Sequence, residues 1–213
     1  AGTPAMAAGI TRGTAIVNVD GAAVADGAAA TVNAGLFPKA AGDHTFVIRD
    51  LGASTDRTVT LTAQALASTP VPTATTLPAP NQSVGYILFN DHIATSEAQL
   101  VAAINTLKAA AVTDLVLDVR YNGGGYLDIA AELAYMIAGP GNTNGKFFER
   151  LSYNNRDPFN QSLSERTTQF LNTSQGFSGP KGKSLPNLGL SRVFVLTSAD
   201  TCSATEAIIN GLR

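Results

Sequence analysis

The chain has 213 residues, of which 45% are hydrophobic and 14% charged, with a formal net charge of -2. That length and apolar content suffice for one large domain or two small ones with buried cores, and they exclude disorder over most of the chain. The charge balance gives no electrostatic basis for a nucleic-acid partner, and no apolar run is long enough to span a bilayer.

The start, Ala1-Gly2-Thr3-Pro4, carries neither a charged leader nor a long apolar stretch, so a signal peptide is expected to have been removed or to lie upstream. Ala15 to Asp20 alternates apolar and polar residues and ends in Asp20-Gly21. Thr45 to Arg49 and Arg57 to Thr62 alternate around a turn containing Gly52. These read as short strands with a hairpin, and a helix is expected over Ala28 to Leu36, giving a small sheet-and-helix module. Ser68 to Pro80 holds Pro70, Pro72, Pro78 and Pro80 among Thr, Ala and Val, and reads as a semi-rigid, extended linker.

Beyond it the pattern changes. Val84 to Phe89 reads as a strand, and Ser96 with Gln99 resembles a capping box opening a helix whose Leu100, Ile104 and Leu107 share one face. Leu115 to Val119 is a continuous apolar strand running into Arg120-Tyr121-Asn122-Gly123-Gly124-Gly125. Leu127 to Ala138 is a second helix, stopped by Gly139-Pro140. Gly141 to Leu190 is polar and weakly periodic, with one short helix expected near Leu163 to Leu171. Val193 to Leu196 is a last apolar strand, breaking into Ser198-Ala199-Asp200-Thr201-Cys202-Ser203 before a helical pattern. Strand and helix in alternation predict an α/β core, a parallel-rich sheet covered by helices. The expected division is 1–67, 68–82 and 83–213.

Two loops carry the chemistry. Three glycines directly after a buried strand let backbone approach a ligand and take positive φ angles, either as an N–H donor loop or as a plain flexible turn. No Gly-Lys-Ser/Thr directly follows the glycines, so a phosphate cradle is disfavoured, and no cofactor and no metal are expected. Ser203 sits at a strand-to-helix turn, where a serine is either an N-cap or an exposed nucleophile facing the free N–H groups of the helix. Both loops are expected at the carboxyl ends of parallel strands, where clefts form in such sheets. Glu206 either braces the glycine loop or complements the helix dipole.

A serine nucleophile needs a base. His44 is expected in an exposed turn, while His92 follows a strand end and is a candidate to reach the cleft. Lys181 and Lys183 lie in a Gly-rich polar loop where water would keep them charged, so the base is expected outside this chain. Cys202, the single cysteine, reads as a plain buried thiol or as half of a bridge to a segment beyond the sequence.

Leu115-Val116-Leu117-Asp118-Val119-Arg120-Tyr121-Asn122-Gly123-Gly124-Gly125 and, further on, Ser203-Ala204-Thr205-Glu206 are similar in kind and order to two segments of the C-terminal processing, or tail-specific, serine peptidases. That family joins a PDZ domain to an α/β core and uses a serine–lysine dyad. Gly2 to Gly13 resembles the family's PDZ turn, followed by Ile16-Val17-Asn18-Val19-Asp20-Gly21. The resemblance implies a partial PDZ-like α+β module ahead of a truncated peptidase core, with Ser203 as nucleophile. Gly124 and Ala204 N–H groups would form the oxyanion hole, with Glu206 as support. It places the lysine past Arg213, so the 213-residue piece is expected to be inactive alone.

Gly123 stands where the family often has proline, Thr205 where it has serine, and Cys202 beside Ser203 raises a cysteine nucleophile as an alternative. The PDZ portion starts after the strand and loop that would hold a peptide's carboxyl terminus, so its groove is expected to be incomplete. Peptide or protein substrates and a periplasmic or secreted bacterial location are implied. The rival readings are a non-catalytic peptide-binding or scaffolding protein that keeps the fold, and an acyl-CoA-type hydratase or hydrolase by fold analogy alone.

Overall fold

The computed structural model describes residues 2–156 and 159–213. The chain divides into two compact units, Ala1–Ala67 and Ser68–Arg213.

In the first unit, helix α1 (Pro4–Ala7) opens on Thr3, whose Oγ1 accepts from the Met6 N–H, with Pro4 at the first helical position. Strands β1 (Ala15–Val19) and β2 (Ala22–Ala23) precede helix α2 (Ala29–Leu36), and β3 (Asp43–Arg49) and β4 (Arg57–Thr62) follow as a hairpin. The sheet order is β2-β1-β3-β4, all neighbours antiparallel. Val19, Phe46 and Ile48 point to one face and bury against Val32 of α2, a small core of its own. His44, expected in an exposed turn, lies instead within β3 opposite Leu61, its Nδ1 2.6 Å from Asp20 Oδ2.

The second unit contains β5 (Thr73–Thr76), β6 (Val84–Leu88), α3 (Ser96–Ala109), β7 (Asp114–Asp118), α4 (Leu127–Ala138), α5 (Pro140–Thr143), β8 (Phe147–Arg150), β9 (Thr167–Gln169), β10 (Val193–Leu196) and α6 (Ala204–Gly211). The main sheet runs β10-β7-β6-β5. Strands β6, β7 and β10 are parallel, as the strand–helix alternation predicts, and β5 adds an antiparallel edge. Ile87, Leu115, Leu117 and Val119 bury against Leu100, Ile104 and Leu107 of α3 and Ile129, Leu133 and Ile137 of α4.

Three expectations are corrected here. The proline-rich segment is not simply a tether: Thr73 to Thr76, between Pro72 and Pro78, pair with β6 and pack against α3. Proline lacks a ladder N–H, so a strand survives there only between prolines and at an edge. Ser96 does not cap α3. Thr95 holds that position, and Ser96 Oγ donates to Asp91 O while Gln99 spans Ser68 O and the Val71 N–H, anchoring the incoming chain. The helix expected near Leu163 to Leu171 is instead strand β9, which pairs antiparallel with β8 in a separate two-stranded sheet. Thr167 and Thr168 are β-branched, and the partner strand supplies what local periodicity did not show.

Candidate active site

Parallel pairing in register brings the carboxyl ends of β7 and β10 together, Asp118 beside Leu196. The chain leaving β10 is stitched to the chain leaving β7. Thr201 Oγ1 donates to Val119 O at 3.0 Å, and Ser198 Oγ donates to Arg120 O. Asp118 is fully buried and receives the Arg120 guanidinium at 2.7 Å and the Tyr86 hydroxyl at 2.7 Å, and these donors draw its carboxyl down to about 2.

Ser203 is the residue before α6, with φ 56° and ψ -125°. A residue with a β-carbon is rarely held at positive φ, and such strain persists only where the surroundings impose it. Here the Glu206 carboxylate accepts from the Ser203 N–H at 2.9 Å and the Ala207 N–H bonds to Ser203 O, fixing the residue from both sides. Glu206 therefore braces the serine's own main chain, rather than the glycine loop.

Gly124 faces this turn. At φ +102° it occupies backbone space open to glycine, and a Cβ placed on it would lie 2.7 Å from Ser203 Cβ, 2.9 Å from Cys202 O and 3.0 Å from the Ala204 N. Ser203, Gly124 and Ala204, the three expected site residues, meet at one point, and Cys202, expected to be buried, is exposed beside them. The next glycine turns the other way: a Cβ on Gly125, φ +132°, would meet His92 O at 2.5 Å.

The two expected donor amides are not equivalent. Ala204 opens α6, where main-chain N–H groups have no acceptor within the helix. The Gly124 N–H donates to Asn122 Oδ1 at 3.0 Å, so in this arrangement it is turned inward, against the expectation of a free oxyanion donor. Asn122, fully buried, was given no role by its sequence context. Its Oδ1 also lies 2.9 Å from His92 Nδ1 and 3.0 Å from Thr205 Oγ1, and its Nδ2 donates to Phe89 O.

His92, the candidate base, sits on the Gly125 side of the loop and is fully buried, against the Phe89 ring. Burial pushes its imidazole down to about 4, the Asn122 bond only partly opposing this. Neutral and enclosed there, it does not serve as the base.

A polar loop closes over the neighbouring helices. Glu97 of α3 accepts from the Gly176 and Ser178 N–H groups at 2.8 and 2.9 Å, and Glu132 of α4 accepts from the Gln175 N–H at 2.8 Å. Burial pushes the Glu132 carboxyl up to about 8, with the neighbouring Glu97 and Asp128 adding to the rise. Burial works on Glu97 in the same sense, but the N–H donors of Ser178, Gly176 and Gln175 hold it below its ordinary value. Phe177 of this loop packs on Tyr126, directly after the glycines, with ring centroids 4.6 Å apart. Among the described residues no group of three or more His, Cys, Asp or Glu side chains is placed to hold a metal, and no helix is long and apolar enough to cross a membrane.

A strained serine at the carboxyl end of a parallel strand, with a glycine loop against it, is an arrangement suited to acyl transfer. Residues 83–213 match the sequence profile of peptidase family S41, and the chain belongs to that family. It is 33% identical over 150 residues to the chloroplastic C-terminal processing peptidase of Tetradesmus obliquus, spanning 66% of this chain and 32% of that protein. It is 30% identical over 134 residues to the carboxyl-terminal-processing protease of Picosynechococcus, spanning 62% and 32%. A crystal structure described as an S41 protease from Bacteroides fragilis superposes with a TM-score of 0.64 at 27% identity, over 99% of this chain and 54% of that one. The photosystem II D1 C-terminal processing protease gives 0.53 at 25%, over 98% and 50%. The chain thus spans about a third of these curated relatives and about half of these solved structures. The resemblance to C-terminal processing peptidases extends beyond the two motifs to the fold.

Proposed function

We propose that this chain carries the nucleophile and oxyanion loop of a serine endopeptidase of the C-terminal processing type. The observation that carries the reading is the backbone of Ser203, held at φ 56° against Gly124 and the first amide of α6. Ser203 Oγ attacks the peptide carbonyl, its proton passing to a lysine supplied beyond Arg213, and an acyl-enzyme forms as the amine leaves. The Ala204 N–H receives the developing oxyanion. The Gly124 N–H joins it by leaving Asn122, because a charged oxygen is a stronger acceptor than a carboxamide and Asn122 Oδ1 keeps two other donors. Glu206 supports the turn.

The first unit is proposed as the remaining part of a PDZ-like module that presents peptide or protein substrates. A bacterial periplasmic or secreted setting suits the composition, which has few lysines. The strain at Ser203 favours the enzyme over a non-catalytic scaffold, which would gain nothing by retaining it.

The test is a fluorophosphonate probe on the full-length protein. Labelling at Ser203, with labelling and peptide hydrolysis both lost in Ser203→Ala, supports the proposal. Hydrolysis surviving Ser203→Ala overturns it. The 213-residue chain by itself is expected not to turn over peptides, and turnover by it that Ser203→Ala abolishes would mean the base lies within it.

A further inference from the structure

Asn122 Oδ1 gathers donors from three separate pieces of chain: His92 after β6, Gly124 after β7 and Thr205 in α6. A carboxamide oxygen has two lone-pair directions, so three donors around it fix its position closely. His92 is the member whose role the mechanism above does not require. Its side chain is fully buried, and among the described residues its Nε2 has no hydrogen-bond partner, which leaves Nδ1 as the polar attachment seen there. Because Asn122 Oδ1 only accepts, the neutral imidazole must carry its proton on Nδ1. The main chain of His92 meanwhile brackets the loop: its N–H reaches Gly124 O at 3.2 Å and its carbonyl receives the Tyr126 N–H at 2.9 Å.

We propose that His92 is a positioning residue for this site, its Nδ1–H fixing the Asn122 carboxamide and thereby setting where the Gly124 loop stands against Ser203 and Ala204. The cost of burying an imidazole with one nitrogen unsatisfied is the physical reason to expect a role, since an apolar side chain would fill the same space without it. The bond also keeps Asn122 Oδ1 satisfied when the Gly124 N–H swings toward an oxyanion. The consequences for catalysis rest on the peptidase reading proposed above, whereas the consequence for the loop does not.

Two variants separate positioning from packing. His92→Leu fills the cavity and removes the donor, while His92→Asn leaves a gap but presents its amide nitrogen near the place of Nδ1. Amide exchange at Gly124, measured by NMR on the 213-residue chain, is expected to speed up about tenfold in His92→Leu, the loss of one hydrogen bond, and to return toward the parent rate in His92→Asn. In the full-length protein, kcat is expected to fall roughly 10- to 100-fold in His92→Leu with KM little changed, and to recover in His92→Asn despite that variant's lower melting temperature. Gly124 exchange unchanged in His92→Leu, or equally fast in both variants, overturns the inference. If the unaltered full-length protein neither labels nor hydrolyses peptides, the peptidase reading fails and the exchange rates alone decide on His92.

Discussion

Gly124 and Ser203 approach each other so closely that a β-carbon on the glycine would stand 2.7 Å from that of the serine. The other two neighbours of that point are main-chain atoms of Cys202 and Ala204, which cannot swing aside as the tip of a long side chain would. Gly124→Ala therefore forces the two loops apart and adds strain at φ +102°. The expected outcome is a loss of about 2 kcal/mol or more in unfolding free energy. Fluorophosphonate labelling of the full-length protein should slow at least ~100-fold, the scale of losing an oxyanion donor. Urea denaturation and labelling kinetics measure the two effects separately.

Ser203 itself is strained, and relieving the strain should stabilise the chain. Glycine takes φ 56° without a Cβ penalty, so Ser203→Gly is expected to be more stable than Ser203→Ala by roughly 1 kcal/mol, although neither can be labelled. A thermal melt of the two variants side by side checks this. Equal stabilities would mean the backbone at 203 carries no strain worth releasing.

What the sequence disclosed and what it hid follow from range. Both loops, the strands before them and the span of α4 were legible because a buried parallel strand ending in glycines, and an apolar strand breaking into small polar residues, are local patterns. Asn122 was visible as a letter in a motif, but its role depends on donors from His92 and Thr205, which only the fold makes neighbours. Ser96 and Gln99 fit a capping box in sequence and are used instead to hold Asp91, Ser68 and Val71, long-range partners outweighing a local one. Strand β9 and the pairing of β5 were hidden for the same reason. No local signal marked Glu97 and Glu132 as neighbours, since they come from different helices.

That carboxyl pair makes stability depend on pH. Glu132 takes up its proton near pH 8 in the folded chain, above its ordinary value of 4.5, so the folded form holds a proton that the unfolded form has released. Its contribution is fully present below about pH 4.5 and is lost as the pH rises through 8. Glu132→Gln keeps an acceptor for the Gln175 N–H and presents an amide toward Glu97. It should be more stable than the parent above pH 8 and remove the contribution that makes stability fall as the pH rises between the two values. Denaturation midpoints across that range test it, together with proteolysis of the loop at Phe177, which should become faster in the parent at alkaline pH.

His92 gives the opposite sign. Its folded value of about 4 lies below the ordinary 6.5, so on acidification the unfolded chain takes up a proton first, and stability present above pH 6.5 is lost as the pH falls through 4. The gap between the two values corresponds to about 3 kcal/mol once the descent is complete. The penalty is physical: protonation adds an N–H at Nε2, which faces no acceptor among the described residues, and places a charge against the Phe89 ring in a fully buried site. Between pH 4.5 and 6.5 this slope opposes the one from Glu132, so His92→Leu should uncover the fall in stability with rising pH that Glu132 causes, and Glu132→Gln the fall on acidification that His92 causes. If the acid-side loss is the same with and without the imidazole, then another group carries it, and burial is not what governs the protonation of His92.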